Sequence, residues 1–464
     1  MSFDVFLGAL DLARAYRLGE TTASDAVGAL LGHIQAHDPK LGAFQAVYAD
    51  DALAAAEAAD KARKNGHSVG PFHGIPFALK DVMDVEGRVT TGGSLTRPKE
   101  PATRTATVAQ RLLAAGGILL GKTKTIEFSM GGWGLNQNFG TPWNPWDLDR
   151  HRAPGGSSSG SAVAVAAGMV PAALGTDTGG SVRTPSAWCG VVGLKTTHGV
   201  LPMDGIIPTA HSLDTCGPLV RCVADAAFLF DLLAGREARE LNHHLDVSTS
   251  DKSANSLQGL LLGSLPDGER EGMAGEVLDL YDAALERLRA LGAEVEIFEP
   301  TMSYVDLARS NRLIATAEAY AHYGKLMEDP EAPVDENVRQ LILPGREIRA
   351  SEYIAATLER RRHIELFAKR MRGFSALVTP TLGITAVPLE NVVPDGYPVG
   401  FTRPFNYLAM CALSIPMGLT PNAQSGGGLP VGLQIASRGK DEAMALRIGM
   451  AFEAFLGGIG HPDL

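Results

Sequence analysis

A glycine- and serine-rich stretch between residues 154 and 195 decides the fold of this chain. It reads Pro154-Gly-Gly-Ser-Ser-Ser-Gly-Ser-Ala-Val-Ala-Val-Ala-Ala-Gly168, then Ala173-Leu-Gly-Thr-Asp-Thr-Gly-Gly-Ser-Val-Arg-Thr-Pro185, then Cys189-Gly-Val-Val-Gly-Leu-Lys195. Short apolar runs alternate with clusters of Gly, Ser, Thr and Pro, which is typical of buried strands and helices joined by tight turns. The 464 residues include 53 glycines, so we expect many sharp turns and close backbone approaches.

The alternation of short apolar runs with turn-forming clusters extends over residues 70–220, and the segments before and after it differ in composition and periodicity. Residues 1–66 show helical spacing and an alanine-rich run, which predicts an outer layer of helices. Residues 222–375 are more charged and mainly helical, and residues 376–464 return to strands. No internal repeat or Ser/Gly linker separates these segments, so the pattern predicts one α/β domain over residues 1–464.

Several runs predict individual elements of this domain. Ile75–Leu79 and Gly117–Leu120 are apolar and bounded by turn-forming residues, as buried strands are. Within the helical segment, Glu294–Phe298 is the one run that the pattern predicts as a strand. A last helix is predicted from about Asp441.

Composition limits the kinds of partner and compartment. The chain has 41 basic and 52 acidic residues, a net charge of −11 at pH 7, which argues against nucleic acid or an anionic membrane as a partner. Four cysteines form no C-x-x-C pair and are expected to be buried thiols in a reducing compartment. The segment Met1–Phe6 contains no basic residue, and the longest apolar run, Ser161–Gly175, is interrupted by Pro171. We therefore expect a soluble, cytoplasmic protein without membrane contact.

Two short motifs match active-site patterns that their context does not support. Residues 116–123, Gly-Gly-Ile-Leu-Leu-Gly-Lys-Thr, fit a phosphate loop, but Ile118–Leu120 is predicted as a buried strand rather than a turn that cradles anions. Residues 156–160 fit a nucleophile elbow centred on Ser158, yet a polar loop precedes them where an elbow requires a hydrophobic strand. Neither ATP binding nor a serine–histidine triad is therefore predicted.

One loop and one lysine suggest chemistry on their own. In Thr176-Asp-Thr-Gly-Gly-Ser181, two glycines allow successive N–H groups to converge on one point beside a serine hydroxyl. A glycine-rich turn capped by serine is the ordinary alternative. Lys80 ends an apolar run, and burial there would lower its pKa by the ~2–3 units that a base at neutral pH requires.

Together with four further motifs, the stretch 154–195 resembles the amidase signature family. The further motifs are Gly74–Asp81, Gly121–Phe128, Ser212–Pro218 and Gly428–Gln434. The resemblance is close over residues 70–220 and looser elsewhere. It implies the fold of that family, a single α/β domain with a central mixed β-sheet surrounded by α-helices. It also implies an enzyme that hydrolyses amide C–N bonds and needs no metal and no cofactor.

The resemblance implies a role for each residue of the signature. Ser181 corresponds to the nucleophile that is acylated, Ser157 to the bridging serine after a cis peptide bond, and Lys80 to the base. Asp177 and Arg183 are expected to hold the nucleophile loop through hydrogen bonds. The oxyanion hole corresponds to the backbone N–H groups of Thr178, Gly179, Gly180 and Ser181.

Within the family, the sequence favours a free-standing amidase that acts on small or aryl amides. The alternative is the glutaminase component of a glutamyl-tRNA amidotransferase, the A subunit, which works with partner subunits and tRNA. Segments 81–84, 132–137 and 196–202 favour the free-standing enzyme. A catalytically silent scaffold on the same fold is disfavoured, because all three relay residues are present.

The predicted partner is a small-molecule amide, with no nucleic acid and no membrane, and a homodimer is left open. Three consecutive arginines at 360–362 are the one basic cluster that could contradict this. They point about 100° apart around a helix, so they are expected to pair with neighbouring acids rather than bind phosphates.

Large side chains near the motifs predict the substrate pocket. The candidates are Met130, Trp133, Trp188 and Ile207, whose apolar surfaces suit an aryl or alkyl acyl group, although such residues also fill cores. Arg403 is expected either to bind a substrate carboxylate or to pair with a surface acid. Ser159, where the family often has Gly, is expected to point outward and to have no role.

Overall fold

One large mixed β-sheet forms the centre of the molecule. The computed structural model describes residues 3–97, 99–236, 256–393, 398–421 and 428–464. In chain order the strands are β1 Phe44–Val47, β2 Pro76–Lys80, β3 Ile118–Thr123, β4 Ala172–Asp177, β5 Val192–Lys195, β6 Thr215–Val220, β7 Leu261–Ser264, β8 Glu294–Ile297, β9 Ala376–Pro380, β10 Cys411–Leu419 and β11 Pro430–Ser437. Across the sheet they follow the order β1-β3-β2-β4-β6-β5-β10-β11-β9-β7-β8. Strands β3, β2 and β4 pair in parallel, as do β9, β7 and β8, and the other pairs are antiparallel.

Helices surround this sheet. The described helices are α1 Ala9–Leu18, α2 Ala23–Leu41, α3 Ala49–Lys64, α4 Thr107–Ala114, α5 Ser159–Ala166, α6 Arg183–Cys189, α7 Val223–Leu233, α8 Gly275–Ala290, α9 Tyr304–Glu328, α10 Glu336–Ile342, α11 Ala350–Arg370, α12 Arg403–Tyr407 and α13 Glu442–Leu456. Helices α5, α6, α7 and α13 pack directly on the strands. The predicted single α/β domain with a helix-covered mixed sheet is confirmed.

The signature stretch lies at the centre of the fold. Every residue of α5 is buried, and this helix packs against β2, β3, β4 and β6. Such close packing requires small side chains, since a β-carbon at Gly160 would lie 2.2 Å from the carbonyl oxygen of Ala43. Strand β4 leads into the loop that carries Ser181, and α6 follows that loop. Buried elements therefore support the candidate nucleophile on both sides.

Most predicted elements are confirmed, and two strands were not foreseen. The strand in the phosphate-loop-like motif is present as β3, and the last helix begins at Glu442. However, the outer layer over residues 1–66 is not wholly helical, because β1 pairs with β3. Likewise, β7 joins β8 in the segment predicted to hold one strand. Both missed strands have four residues, and distant partners stabilise them rather than a local pattern.

The helices and the cysteines bear on the predicted compartment of the protein. None of the helices in these residues is both long and apolar enough to cross a membrane. All four cysteines are free thiols, of which Cys189, Cys216 and Cys411 are buried and Cys222 is half-buried. Burial therefore agrees with the prediction at three of the four cysteines.

Candidate active site

Lys80 is buried at the end of β2, where its amine faces two hydroxyl groups. Its Nζ donates to Ser157 Oγ at 2.6 Å and to Thr176 Oγ1 at 2.7 Å. Burial lowers the pKa of Lys80 to about 7, although the charges of Asp214 and Asp177 oppose that shift. Near neutral pH a substantial fraction of this amine is uncharged and able to accept a proton.

Ser157 lies in the loop before α5, directly after a cis peptide bond. The cis bond joins Gly156 to Ser157, and the serine side chain is fully buried. Only glycine fits at position 156, because a β-carbon there would lie 2.6 Å from Ile126 Cδ1 and 2.9 Å from the amide nitrogen of Gly134. The close packing of this loop keeps the Ser157 hydroxyl against Lys80.

The loop that carries Ser181 is held by a buried ion pair. Arg183 Nη2 donates to Asp177 Oδ1 at 2.9 Å and Arg183 Nε donates to Asp177 Oδ2 at 3.0 Å, and neither side chain is exposed. Asp177 Oδ2 also accepts the N–H of Val182 at 3.1 Å. Burial alone would raise the pKa of Asp177, but the charge and hydrogen bonds of Arg183 hold it below its ordinary value. The pair therefore fixes the turn between β4 and α6.

The same arginine ties this loop to two distant elements. Arg183 Nη1 donates to the carbonyl oxygen of Thr402 at 2.8 Å and to Gln434 Oε1 at 2.6 Å, while Nη2 donates to Asn406 Oδ1 at 2.6 Å. Thr402 and Asn406 belong to the α12 region, and Gln434 belongs to β11. Of these three partners, only Gln434 lies in a motif that the sequence analysis identified.

One predicted oxyanion donor makes a different bond. The N–H of Gly180 donates to Asp177 Oδ1 at 2.8 Å, so this group is engaged in holding the loop. The N–H groups of Thr178, Gly179 and Ser181 remain the predicted donors. Ser181 is 7% exposed, and its carbonyl oxygen accepts the N–H of Ser158 at 3.2 Å. This bond joins the two serine-bearing loops.

Sequence reasoning missed Asp214, which supports the same loop from outside. Its Oδ1 accepts the hydroxyl of Thr178 at 2.5 Å, and its Oδ2 accepts the N–H groups of Thr209 at 2.8 Å and Ala210 at 3.0 Å. Burial raises the pKa of Asp214 to about 6, although these hydrogen bonds oppose the shift. Asp214 lies in the Ser212–Pro218 motif, so its position was available as a signal without a role.

A cleft with two compartments opens beside Ser181. We call the part lined by Ser129, Gly156, Ser181 and Thr209 the inner compartment. The outer compartment is lined by Ile126, Trp133, Leu135, Asn337 and Val338. Five residues line both compartments, and they are Met130, Gly131, Arg312, Leu341 and Arg403. Helices α9 and α10 thus bring part of the 300–375 region to the cleft, which the sequence could not assign.

Two of the four predicted pocket residues lie in this cleft. Met130 and Trp133 line it, whereas Trp188 and Ile207 are not among its described lining residues. Trp188 is 1% exposed, stacks behind Trp133 at a ring distance of 5.6 Å and donates its Nε1–H to the carbonyl oxygen of Ile384. Ile207 packs as a half-buried side chain against the apolar cores. Trp188 and Ile207 are close to the signature motifs in sequence, but neither is among the described residues that line the cleft.

Ser158 and Ser159, which follow the bridging serine in sequence, are both buried. Ser158 Oγ donates to the carbonyl oxygen of Thr176 at 3.3 Å, which engages the hydroxyl of the elbow-like motif. Ser159 does not point outward as predicted, because it is the first residue of α5 and is fully buried in the packed centre.

The histidines, the arginine cluster at 360–362 and possible metal ligands were further candidates for a functional role. No histidine occurs among the described residues that line the cleft. Arg360 does not pair with acids as expected, since it donates to the backbone carbonyl oxygens of Tyr407, Ser212 and Asn406. In the part of the chain that the structure describes, no three His, Cys, Asp or Glu residues are grouped so as to hold a metal ion.

The family model described as Amidase matches residues 25–446, so this chain belongs to the amidase family. The resemblance seen in the sequence is therefore confirmed.

Relatives within the family bear different names. The chain is 36% identical to the A subunit of the glutamyl-tRNA(Gln) amidotransferase from Chloroflexus aurantiacus, over 95% of this chain and 94% of the relative. It is similar to the peptide amidase of Stenotrophomonas maltophilia, with a TM-score of 0.81, 29% identity and coverage of 98% of both chains. A third likeness, with a TM-score of 0.86, 28% identity and coverage of 99% and 100%, is to a protein from a vestigial complex linked to the origins of an s-triazine catabolic enzyme.

Proposed function

We propose that this chain hydrolyses a small carboxylic amide through an acyl-enzyme formed on Ser181. The reaction consumes one water molecule and yields the acid and ammonia or an amine. The observation that carries this proposal is the 2.6 Å contact between Lys80 Nζ and Ser157 Oγ in a buried site. A lysine with a pKa of about 7 is suited to take part in proton transfer at neutral pH.

The proposed reaction runs through a relay of three side chains. Neutral Lys80 accepts the proton of Ser157, Ser157 accepts that of Ser181, and the freed Ser181 oxygen attacks the amide carbonyl. The N–H groups of Thr178, Gly179 and Ser181 donate to the oxyanion. The proton then returns through Ser157 to the leaving nitrogen as the C–N bond breaks. Water cleaves the resulting ester by the same path and releases the acid.

For the biological setting, we favour the glutaminase component of a glutamyl-tRNA amidotransferase, its A subunit. The curated relatives support this choice, since one from Acidobacterium capsulatum is 35% identical over 97% of this chain and 99% of its own length. In that setting the chain would release ammonia from the side-chain amide of glutamine for use by a partner protein. The order of the two candidates is therefore the reverse of that suggested by the sequence.

A free-standing amidase is the second candidate. A solved structure described as an amidase supports it, at 31% identity with a TM-score of 0.85 over 97% of this chain. The apolar side chains of Met130 and Trp133 in the cleft also suit a substrate with an alkyl or aryl part.

Ammonia release by the purified chain distinguishes the two candidates. Glutamine, propionamide and benzamide are supplied to the chain alone, and then together with tRNA and the partner subunits of a glutamyl-tRNA amidotransferase. The favoured function predicts turnover of glutamine that the partners stimulate, whereas turnover of simple amides without stimulation supports the free-standing enzyme. In either setting, the Ser181→Ala variant tests the acyl-enzyme. If its activity stays within about tenfold of the parent, which is a barrier change near 1.4 kcal/mol, the acyl-enzyme proposal is overturned.

A further inference from the structure

Two positively charged side chains stand where the inner and outer compartments meet. Arg312 comes from α9 and Arg403 is the first residue of α12, and each lines both compartments. No Asp or Glu occurs among the described residues that line either compartment. The charge carried by this described wall is therefore positive, and it favours a negatively charged group in the cleft.

Arg403 lies directly against the nucleophile loop. A β-carbon at Gly179 would be 3.1 Å from Arg403 Cγ and 3.5 Å from Arg403 Nε, so the guanidinium begins beside the residue two positions before Ser181. Both arginines also make contacts of their own elsewhere. A guanidinium has five N–H donors in a planar fork, which allows it to bind more than one group at a time.

The inner compartment also has an unusual backbone segment and a buried hydroxyl in its lining. Ser129 lines the inner compartment and is only 4% exposed, and its hydroxyl has no hydrogen-bond partner within the described structure. A buried hydroxyl without a partner is costly. Phe128 and Ser129 both have left-handed backbone angles, with φ of 49° and 58°. Residues in such sparsely populated conformations are common at ligand-binding sites.

We propose that Arg312 and Arg403 form a carboxylate subsite, so that preferred substrates are small amides whose other end is negatively charged. This inference rests on the proposed hydrolysis at Ser181, because it names the substrate class of the same cleft. Arginine is suited to this task, since its planar guanidinium matches a carboxylate with two parallel hydrogen bonds. Glutamine meets the requirement through its α-carboxylate, and the monoamide of a dicarboxylic acid meets it without an ammonium group.

A series of matched amides tests the subsite by kinetics. The monoamides of malonic, succinic and glutaric acid are compared with uncharged amides of the same chain length, and 5-aminopentanamide provides the cationic analogue. We expect kcat/KM to be about tenfold or more in favour of the carboxylate at one length at least, as one charge-assisted pair provides. Arg403→Gln and Arg312→Gln should reduce that preference to within about threefold, which is under 1 kcal/mol.

Arg309→Gln is the matched control for these variants. Arg309 lies on α9 one turn before Arg312 and pairs with Asp306 at an exposed position. This control should keep the full preference for the carboxylate. Equal kcat/KM for charged and uncharged amides at every length, or a preference that survives both cleft substitutions, would overturn the subsite.

Binding to the Ser181→Ala variant separates this inference from the proposed function. Calorimetry with the monoamide of glutaric acid and with pentanamide requires no turnover. Tighter binding of the charged ligand, lost in the added Arg403→Gln, supports the subsite even if no amide is hydrolysed. If neutral amides are hydrolysed by the parent chain while Ser181→Ala binds both ligands equally, the subsite fails and the proposed function stands.

Discussion

The nucleophile loop and the cleft wall, by which we mean the cleft-lining residues outside this loop, are built in contrasting ways. The loop is one contiguous segment, residues 176–183, and its centre is the fully buried pair of Asp177 and Arg183. The wall collects residues from loops and helices far apart in the chain. It includes Ser129, whose hydroxyl has no hydrogen-bond partner among the described residues. Arg312 in that wall is exposed, whereas Arg183 has no exposed surface.

This difference separates the part that fixes the reaction from the part that selects the substrate. The loop must hold a hydroxyl and several N–H groups in one geometry, which a dense buried hydrogen-bond network achieves. Neither hydrogen bond between Asp177 and Arg183 involves the side chain of Arg403, which contacts the loop at Gly179. We therefore expect that this wall side chain can be exchanged with little effect on the network. Changes in the loop should therefore affect turnover or stability strongly, and changes in the wall should affect mainly which amide is chosen.

The strongest test of the loop is removal of its hydroxyl. Ser181→Ala should lower kcat by ~10³-fold or more, because no other group replaces the nucleophile. The fold should remain, since only one hydroxyl is lost. Turnover assays measure the loss, and mass spectrometry after a fluorophosphonate probe should locate the adduct on Ser181. An adduct on Ser158 instead would contradict the assignment.

A second test breaks the ion pair beneath the loop. Arg183→Met should reduce the free energy of unfolding by ~3–5 kcal/mol, because the carboxylate of Asp177 stays buried without its partner. Denaturant unfolding measures this change. Arg150→Gln is the control, since Arg150 pairs with Glu390 at an exposed position and should change stability little. Equal effects of the two substitutions would show that burial does not distinguish the pairs.

The same contrast explains which parts of the molecule the sequence predicted. Ser157, Ser181 and the pair of Asp177 and Arg183 lie in the stretch 154–195, and Lys80 lies in the motif Gly74–Asp81. A resemblance could therefore predict roles for Lys80, Ser157 and Ser181 together. The wall has no such motif, because Arg312 and Arg403 reach the cleft through the packing of α9 and α12. Trp188 illustrates the converse, since it lies close to the signature in sequence but packs behind Trp133.

Predictions at the level of elements failed for similar reasons. Strands β1 and β7 are short, and each pairs with a strand that is distant in the chain, β3 and β9 respectively. Such pairing is a tertiary feature that a local pattern does not show. Ser159 was predicted to face outward because a position that accepts Gly or Ser is usually at the surface. In this fold the serine opens a helix that is buried on every side, and only the tertiary packing reveals that.

A third test follows from the buried amine that serves the loop. The pKa of Lys80 is lowered to about 7 and the proposed relay requires its neutral form, so activity should rise with pH through about 7 and level off above it. Below that point, the rate should fall about tenfold for each pH unit, as one protonation requires. His198→Ala and His211→Ala should leave this profile unchanged, because both residues lie outside the described cleft lining. Loss of the rising limb in either variant would instead favour a histidine base.

The smallest expected effect comes from the two stacked tryptophans, of which one lines the cleft and the other is buried behind it. Trp133 lines the outer compartment, and Trp188 lies behind it with its Nε1–H bonded to Ile384. Trp133→Phe should change KM for an aryl amide only a few-fold and leave kcat unchanged, because part of an apolar contact is lost away from the reacting atoms. It also removes the N–H donor to the carbonyl oxygen of Val393, but Val393 is exposed and water can replace that donor. Trp188→Phe should leave KM unchanged but reduce stability by about 1 kcal/mol, since it leaves the half-buried carbonyl of Ile384 without its donor. Parallel kinetics and unfolding curves compare the two variants. A larger KM change for Trp188→Phe than for Trp133→Phe would contradict the separation, because the side chain behind the wall would then control substrate choice.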